Sequence, residues 1–170
     1  MSETSVESLV EELLERSDSE LDERVRGLEL ERRRVEAELA LAAGENDRRR
    51  SYLDDGHRSL KAYLRATCTY SDAEAARVRR LTTATGSIPG VAEALRDGRT
   101  GIPQANEHAV AHATHRVRER LVDFAPKPLE LAERLSVREF RTCVERVVTL
   151  ADLDGAHRDL GESITNRRAR

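Results

Sequence analysis

His108, His112 and His115 are the residues in this sequence best placed to do chemistry. At about 100° per residue a helix sets them near 0°, 40° and −20° on its wheel, a single narrow face. Val110, Val117 and Leu121 fall on the opposite side, so the imidazoles are expected to point away from the core. The i, i+4 pair His108/His112 has a spacing that chelates zinc. At ~1.5 Å rise per residue, His115 lies about 10.5 Å along the axis from His108, too far for one ion to hold all three. A zincin needs Glu directly after its first His; here Ala109 holds that place and Glu107 precedes the His. The plainer reading is a solvated or interfacial face. No metal or other cofactor is expected, with His108 and His112 left as weak candidates.

Other catalytic equipment is missing. There is no Walker loop, no GxGxxG and no GxSxG elbow, and the many carboxylates are too scattered for any pair to be singled out for acid–base work. The chain is therefore read as non-catalytic. Arginine clusters offer a different chemistry. Arg48, Arg49 and Arg50, then Arg77, Arg79 and Arg80, then Arg116, Arg118 and Arg120, and last Arg167, Arg168 and Arg170 could supply a diffuse phosphate-contacting surface. Arg48, Arg49, Arg50, Arg77, Arg79, Arg80, Arg116 and Arg120 are taken as the nucleic-acid-binding candidates. Only five aromatic residues are present, which disfavours single-strand recognition by base stacking and leaves double-stranded DNA as the possible partner. Leu60–Thr67 followed by Ser71–Thr85 has the length of a helix-turn-helix. Its turn lacks the frequent Gly, and Asp72 and Glu74 would repel phosphate, so ordinary hairpin packing is preferred.

The elements that must position these residues read as helices throughout. Leu, Ile, Val and Phe make up 38 of 170 residues and charged residues 36%, which allows only a thin core. Strand-favouring residues other than Val are scarce. No run of 18 apolar residues is present, so no membrane span is expected, and the acidic Met1–Thr4 start does not resemble a secretory signal. Cys68 and Cys143 are isolated thiols. A cytoplasmic, all-α protein is expected.

Charge divides the chain. Residues 1–47 carry 15 acidic and 6 basic side chains, net −9, and residues 48–170 carry 17 and 23, net +6. Val6, Leu9, Val10, Leu13 and Leu14 follow an amphipathic helical spacing behind a Thr4/Glu7 capping box. After Ser17-Asp18-Ser19, the series Leu21, Val25, Leu28, Arg32, Val35, Leu39, Ala42 is a heptad seam with one polar intruder. One helix is expected from about Glu20 to Asp54. Its seam residues Leu21, Val25, Leu28, Val35 and Leu39 are the expected homodimer contacts. Further helices are expected over Ser59–Thr67, Ser71–Thr85, around Val91–Leu95, over Pro103–Phe124, over Leu129–Leu135, and from Ser136 to Leu150. The organisation is thus residues 1–55 as an acidic amphipathic helix plus a long coiled-coil-like helix, 56–158 as a helical body, and 159–170 as a basic polar tail.

Several stretches together resemble the actinobacterial thirteen-E-twelve repeat family, also catalogued as domain of unknown function 222. They are Glu45-Asn46-Asp47-Arg48-Arg49; Gly56 through Ser59-Leu60 to Tyr63-Leu64; Ser71, Glu74, Ala75 and Arg79; Pro89, Ala94-Leu95, Gly98, Ile102 and Gln104-Ala105; and Asp152-Leu153-Asp154-Gly155, with Leu153 in place of the family's usual Pro. The resemblance spans about residues 20–158. It implies a helical N-terminal domain of the kind often followed by an HNH endonuclease domain, although no HNH residues occur here. The chain is read as either a piece of a longer protein or a free-standing short member. The expected function is a non-catalytic, self-associating accessory domain that binds nucleic acid beside an HNH endonuclease; the alternative is a structural or regulatory dimerisation module that binds no DNA.

Overall fold

The computed structural model describes residues 5–152, and among these the fold is all-α. Helix α1 (Val6–Leu14) is followed by the long α2 (Asp18–Arg49), a 3₁₀ turn at Ser51–Leu53, α3 (Leu60–Thr67) and α4 (Asp72–Ser87). Then come α5 (Val91–Arg96), α6 (Ile102–His112), α7 (Arg118–Phe124), α8 (Pro126–Leu131), a second 3₁₀ turn at Ala132–Arg134, and α9 (Val137–Ala151).

Helix starts follow local chemistry. Ser17, Ser59, Ser71 and Ser136 each accept a hydrogen bond from the backbone N–H three residues on, satisfying a donor the helix leaves orphaned. At Ser17 and Ser136 the box is reciprocal, Glu20 and Glu139 reaching back to the cap N–H at 2.8 and 2.9 Å. Helix α1 starts one residue later than expected, at Ser5, whose hydroxyl accepts from Ser8 N; Thr4 lies outside the described residues. Helix α2 begins and ends earlier than expected. Arg50 adopts the left-handed conformation, φ 56°, and terminates it, which turns Tyr52 into the core rather than carrying the helix on to Asp54.

The Pro103–Phe124 helix is two helices. Helix α6 stops at His112, the chain turns at residues 113–117, and α7 restarts at Arg118. Val117 and Leu121, both buried, therefore belong to a different axis from His108. Pro126 opens α8, at the first position where its missing N–H costs nothing.

Helix α4 lies at the centre, touching α2, α3, α5 and α6, and α6 in turn packs on α9. The largest cluster joins Ala37 and Ala40 of α2 to Leu81, Ala84, Val91, Leu95, Ala105 and Leu129. A second gathers Ala43, Tyr52, Leu60, Leu64 and Val78, flanked by Leu39, Tyr63 and Tyr70. A third surrounds Phe140 with Ala111, Leu121, Val144 and Val147. The second half of α2 is thus part of the same core as the helices after residue 56.

Alanine sets how closely α2 approaches. Ala37, Ala40 and Ala43 are its buried residues, and a Cβ at Gly44 would stand 3.3 Å from Thr82 Cγ2. At the near end Arg33 Nη1 donates to the Gly98 carbonyl at 2.8 Å. Gly98 has φ 81°, and a Cβ there would come within 2.6 Å of Leu30 Cδ1. Gly98→Ala is expected to destabilise the fold by about 1–2 kcal/mol from the left-handed conformation alone, with the Leu30 clash adding to it. Chemical denaturation of the pair measures this; an unchanged midpoint would mean that α2 and the α5–α6 turn are not packed as described.

Candidate functional site

The apolar seam of α2 and its packing face are different stripes. Leu30, Arg33, Ala37, Ala40 and Gly44 face the body, and the seam Leu21–Val25–Leu28–Val35 lies about two fifths of a turn around the helix from them. Val25 is 65% exposed, Leu28 45% and Val35 62%. Leu21 is half-buried, and Leu39 is half-buried against the tyrosine cluster of the body. Arg32, the polar intruder, is exposed and donates to Glu29 of its own helix, from Nε at 2.8 Å. Helix α1 repeats the theme: Val6, Leu9, Val10 and Leu14 are exposed, and no residue of α1 is buried. From Val6 to Glu36, no residue is fully buried. The chain thus carries an amphipathic arm on which Leu13 and Leu21 are half-buried while Val6, Leu9, Val10, Leu14, Val25, Leu28 and Val35 stay exposed among the described residues.

Five of the eight arginine candidates already have a partner within the chain. Arg48 and Arg49 both hold Glu45, at 2.6 Å each, and their hydrogen bonds, Arg48's first, keep that carboxyl down at about 2. Arg77 sits between Glu74 and Glu36, at 2.7 and 2.8 Å, and bonding to Glu74 before all else raises its already high pKa. Arg116 pairs with Asp152 at 2.9 Å, and Arg120 donates to the Ala151 carbonyl. Arg50, Arg79 and Arg80 make no ion pair among the described residues, and Arg80 is half-buried. The acidic first turn of α4 serves packing rather than repulsion, since Asp72 bridges to Lys61, at 2.8 Å, and to Arg65 across the α3–α4 turn.

The histidines lie opposite to expectation. His108 is 0% exposed and His112 3%, while Val110 is 47% exposed. The helical wheel misleads because α6 ends at His112, so Val117 and Leu121 do not report on its inner face. That face is lined by Ala105, His108, Ala109 and His112, small residues and flat rings that allow close packing on α4 and α9. His108 meets the Phe140 ring edge-to-face, centroids 5.2 Å apart. Neither of its ring nitrogens has a hydrogen-bond partner among the described residues, and burial pushes the imidazole down to about 4. Burial, then the neighbouring Arg118 charge, also lowers His112. His115 is exposed. Among the described residues no three His, Cys, Asp or Glu side chains gather into a metal-holding group.

Two positions of structural weight carry no chemical motif in the sequence. Gln104 donates through Nε2 to the carbonyls of Ala132 and Leu135, at 2.8 and 2.9 Å, and accepts from Gly101 N, stapling the start of α6 to the turn before α9. Glu36, one charge among many on α2, anchors Arg77 from 41 residues away. No helix among the described residues is long and apolar enough to cross a membrane. Residues 153–170, with the Leu153-Asp154-Gly155 element and Arg167, Arg168 and Arg170, lie outside the described residues. Comparison with protein-family models, with curated proteins and with solved structures finds no match to this chain.

Proposed function

We propose that this chain is a non-catalytic helical module that works by self-association, two copies joining along the arm made of α1 and the first part of α2. One observation carries the reading: α2 packs on its own body through alanines and leaves Val25, Leu28 and Val35 of its seam exposed, Leu21 and Leu39 being half-buried. Single exposed apolar side chains are ordinary, but a row of them at heptad spacing on a projecting helix marks an interaction surface. The resemblance in sequence motifs adds an accessory place beside an HNH endonuclease. Binding of duplex DNA by the pair is a second reading, supported by Arg50 and Arg79, which have no acidic partner among the described residues, and by the net +6 of residues 48–170.

Sedimentation equilibrium tests the first reading. The wild-type chain is expected to be a dimer. A variant with Val25→Glu, Leu28→Glu and Val35→Glu is expected to raise the dissociation constant more than about 100-fold, since each lost seam side chain contributes ~1.5 kcal/mol or more. Its helical circular dichroism should stay unchanged. A wild-type chain that is monomeric at every concentration would exclude self-association. Titration of a labelled duplex at low and high salt addresses the second reading separately: binding that weakens with salt supports it, and no binding at low salt removes it.

A further inference from the structure

We propose that the two copies lie antiparallel, the acidic arm of each running along the basic body of the other. This rests on the self-association reading above and specifies its partner and polarity. Charge gives the first argument. Among the described residues, the arm from 5 to 36 carries 11 acidic and 6 basic side chains, net −5, and residues 48–152 carry 14 and 19, net +5, so a parallel pair sets arm against arm and body against body, like charge on like. An antiparallel pair sets the acidic arm of each copy beside the net-basic body of the other.

The seam gives the second argument. In a parallel, in-register pair each Arg32 stands at the seam directly opposite the Arg32 of the other copy. Antiparallel packing instead sets Arg32 across from an apolar seam position and keeps the two guanidiniums apart, each sharing Glu29 of its own helix with Arg33. The flanking charges agree. Arg24, Glu31 and Glu38 are exposed and make no salt bridge among the described residues. Antiparallel registers that match the seams bring Arg24 of one copy beside Glu31 or Glu38 of the other, twice per pair by symmetry.

The surface supplies a continuous path. Val35 lies where α2 already runs against the body, yet it is 62% exposed, so the seam continues from the free arm onto the flank of the body toward Leu39. Val6, Leu9, Val10, Leu14, Val25, Leu28 and Val35 together expose apolar surface of the order of the ~800 Å² per partner that a stable interface needs.

A spin label on Asp47→Cys, in a chain with Cys68→Ser and Cys143→Ser, reads the polarity directly, because Asp47 is exposed near the end of α2. At ~1.5 Å rise per residue the antiparallel pair puts the two labels about 50 Å apart or more, and a parallel pair puts them within about 25 Å. Independently, the dissociation constant of the unmodified chain is expected to rise about tenfold between low and high salt as screening removes the arm–body attraction. Labels at the short distance, or dimerisation that tightens with salt, would overturn the antiparallel arrangement while leaving self-association standing. A chain that is monomeric at low salt would remove both.

Discussion

Phe140→Ala is expected to cost about 3–5 kcal/mol of folding stability, a large share of the ~5–15 kcal/mol available to a domain of this size. Phe140 is 0% exposed and stands at the centre of the cluster formed by Ala111, Leu121, Ala132, Val144 and Val147. It is one of two phenylalanines in the chain; the other, Phe124, is 40% exposed. Most of its neighbours, Ala111, Ala132, Val144 and Val147, are short side chains that fill little of the space a lost ring leaves. The cavity term therefore adds to the lost transfer energy. Urea denaturation at fixed protein concentration measures the change, the concentration being held because self-association shifts apparent stability. Phe140→Leu, which keeps most of the volume, should lose much less. Equal losses in the two variants would mean that cavity volume is not what matters at this position.

His108 is expected to make the protein acid-sensitive in a window where carboxylates contribute little. Its imidazole is buried, and its folded pKa of about 4 lies below the ordinary 6.5. Below pH 6.5 the unfolded chain therefore binds a proton that the folded chain refuses. The stability His108 permits is fully present above pH 6.5 and is lost as pH falls toward 4, by ~1.4 kcal/mol per unit and about 3 kcal/mol across the window. His112, lowered in the same direction, adds to the slope. Glu29, Glu74 and Glu139, each held below 4.5 by hydrogen bonding, act on the acid side of that value. His108→Leu removes the main titrating group together with two ring nitrogens that have no partner among the described residues. The variant should be more stable than wild type at pH 5 and show a flatter profile from pH 6.5 to 4. Parallel stability profiles for the two proteins would show that His108 is not buried in its neutral form.

Local signals in the sequence were sufficient for the helical class and for most helix starts. Ser59, Ser71 and Ser136 open helices where the sequence places them, because the hydroxyl and the N–H it serves lie within four residues; Ser17, which reads as part of a break, is a cap as well, and α2 starts behind it. The division into an acidic arm and a basic body is likewise a matter of counting charges along the chain, and the heptad seam is a matter of spacing. None of these needs knowledge of what packs where.

Which faces are covered was decided only when distant segments met. The seam of α2 was legible as apolar, but the body takes hold through Ala37, Ala40 and Ala43, because alanines let the α4 and α5 backbones come close and large seam residues would hold them off. The His108 face of α6 reads as polar and is core, because Phe140, 32 residues on, arrives to cover it. The arginine clusters read as cationic, yet Arg77 is claimed by Glu36 and Arg116 by Asp152, partners 41 and 36 positions away in sequence. A side chain's type and spacing establish what it can do. Its neighbours in space establish whether it is buried, paired or left for another molecule, and those neighbours are brought together by the fold.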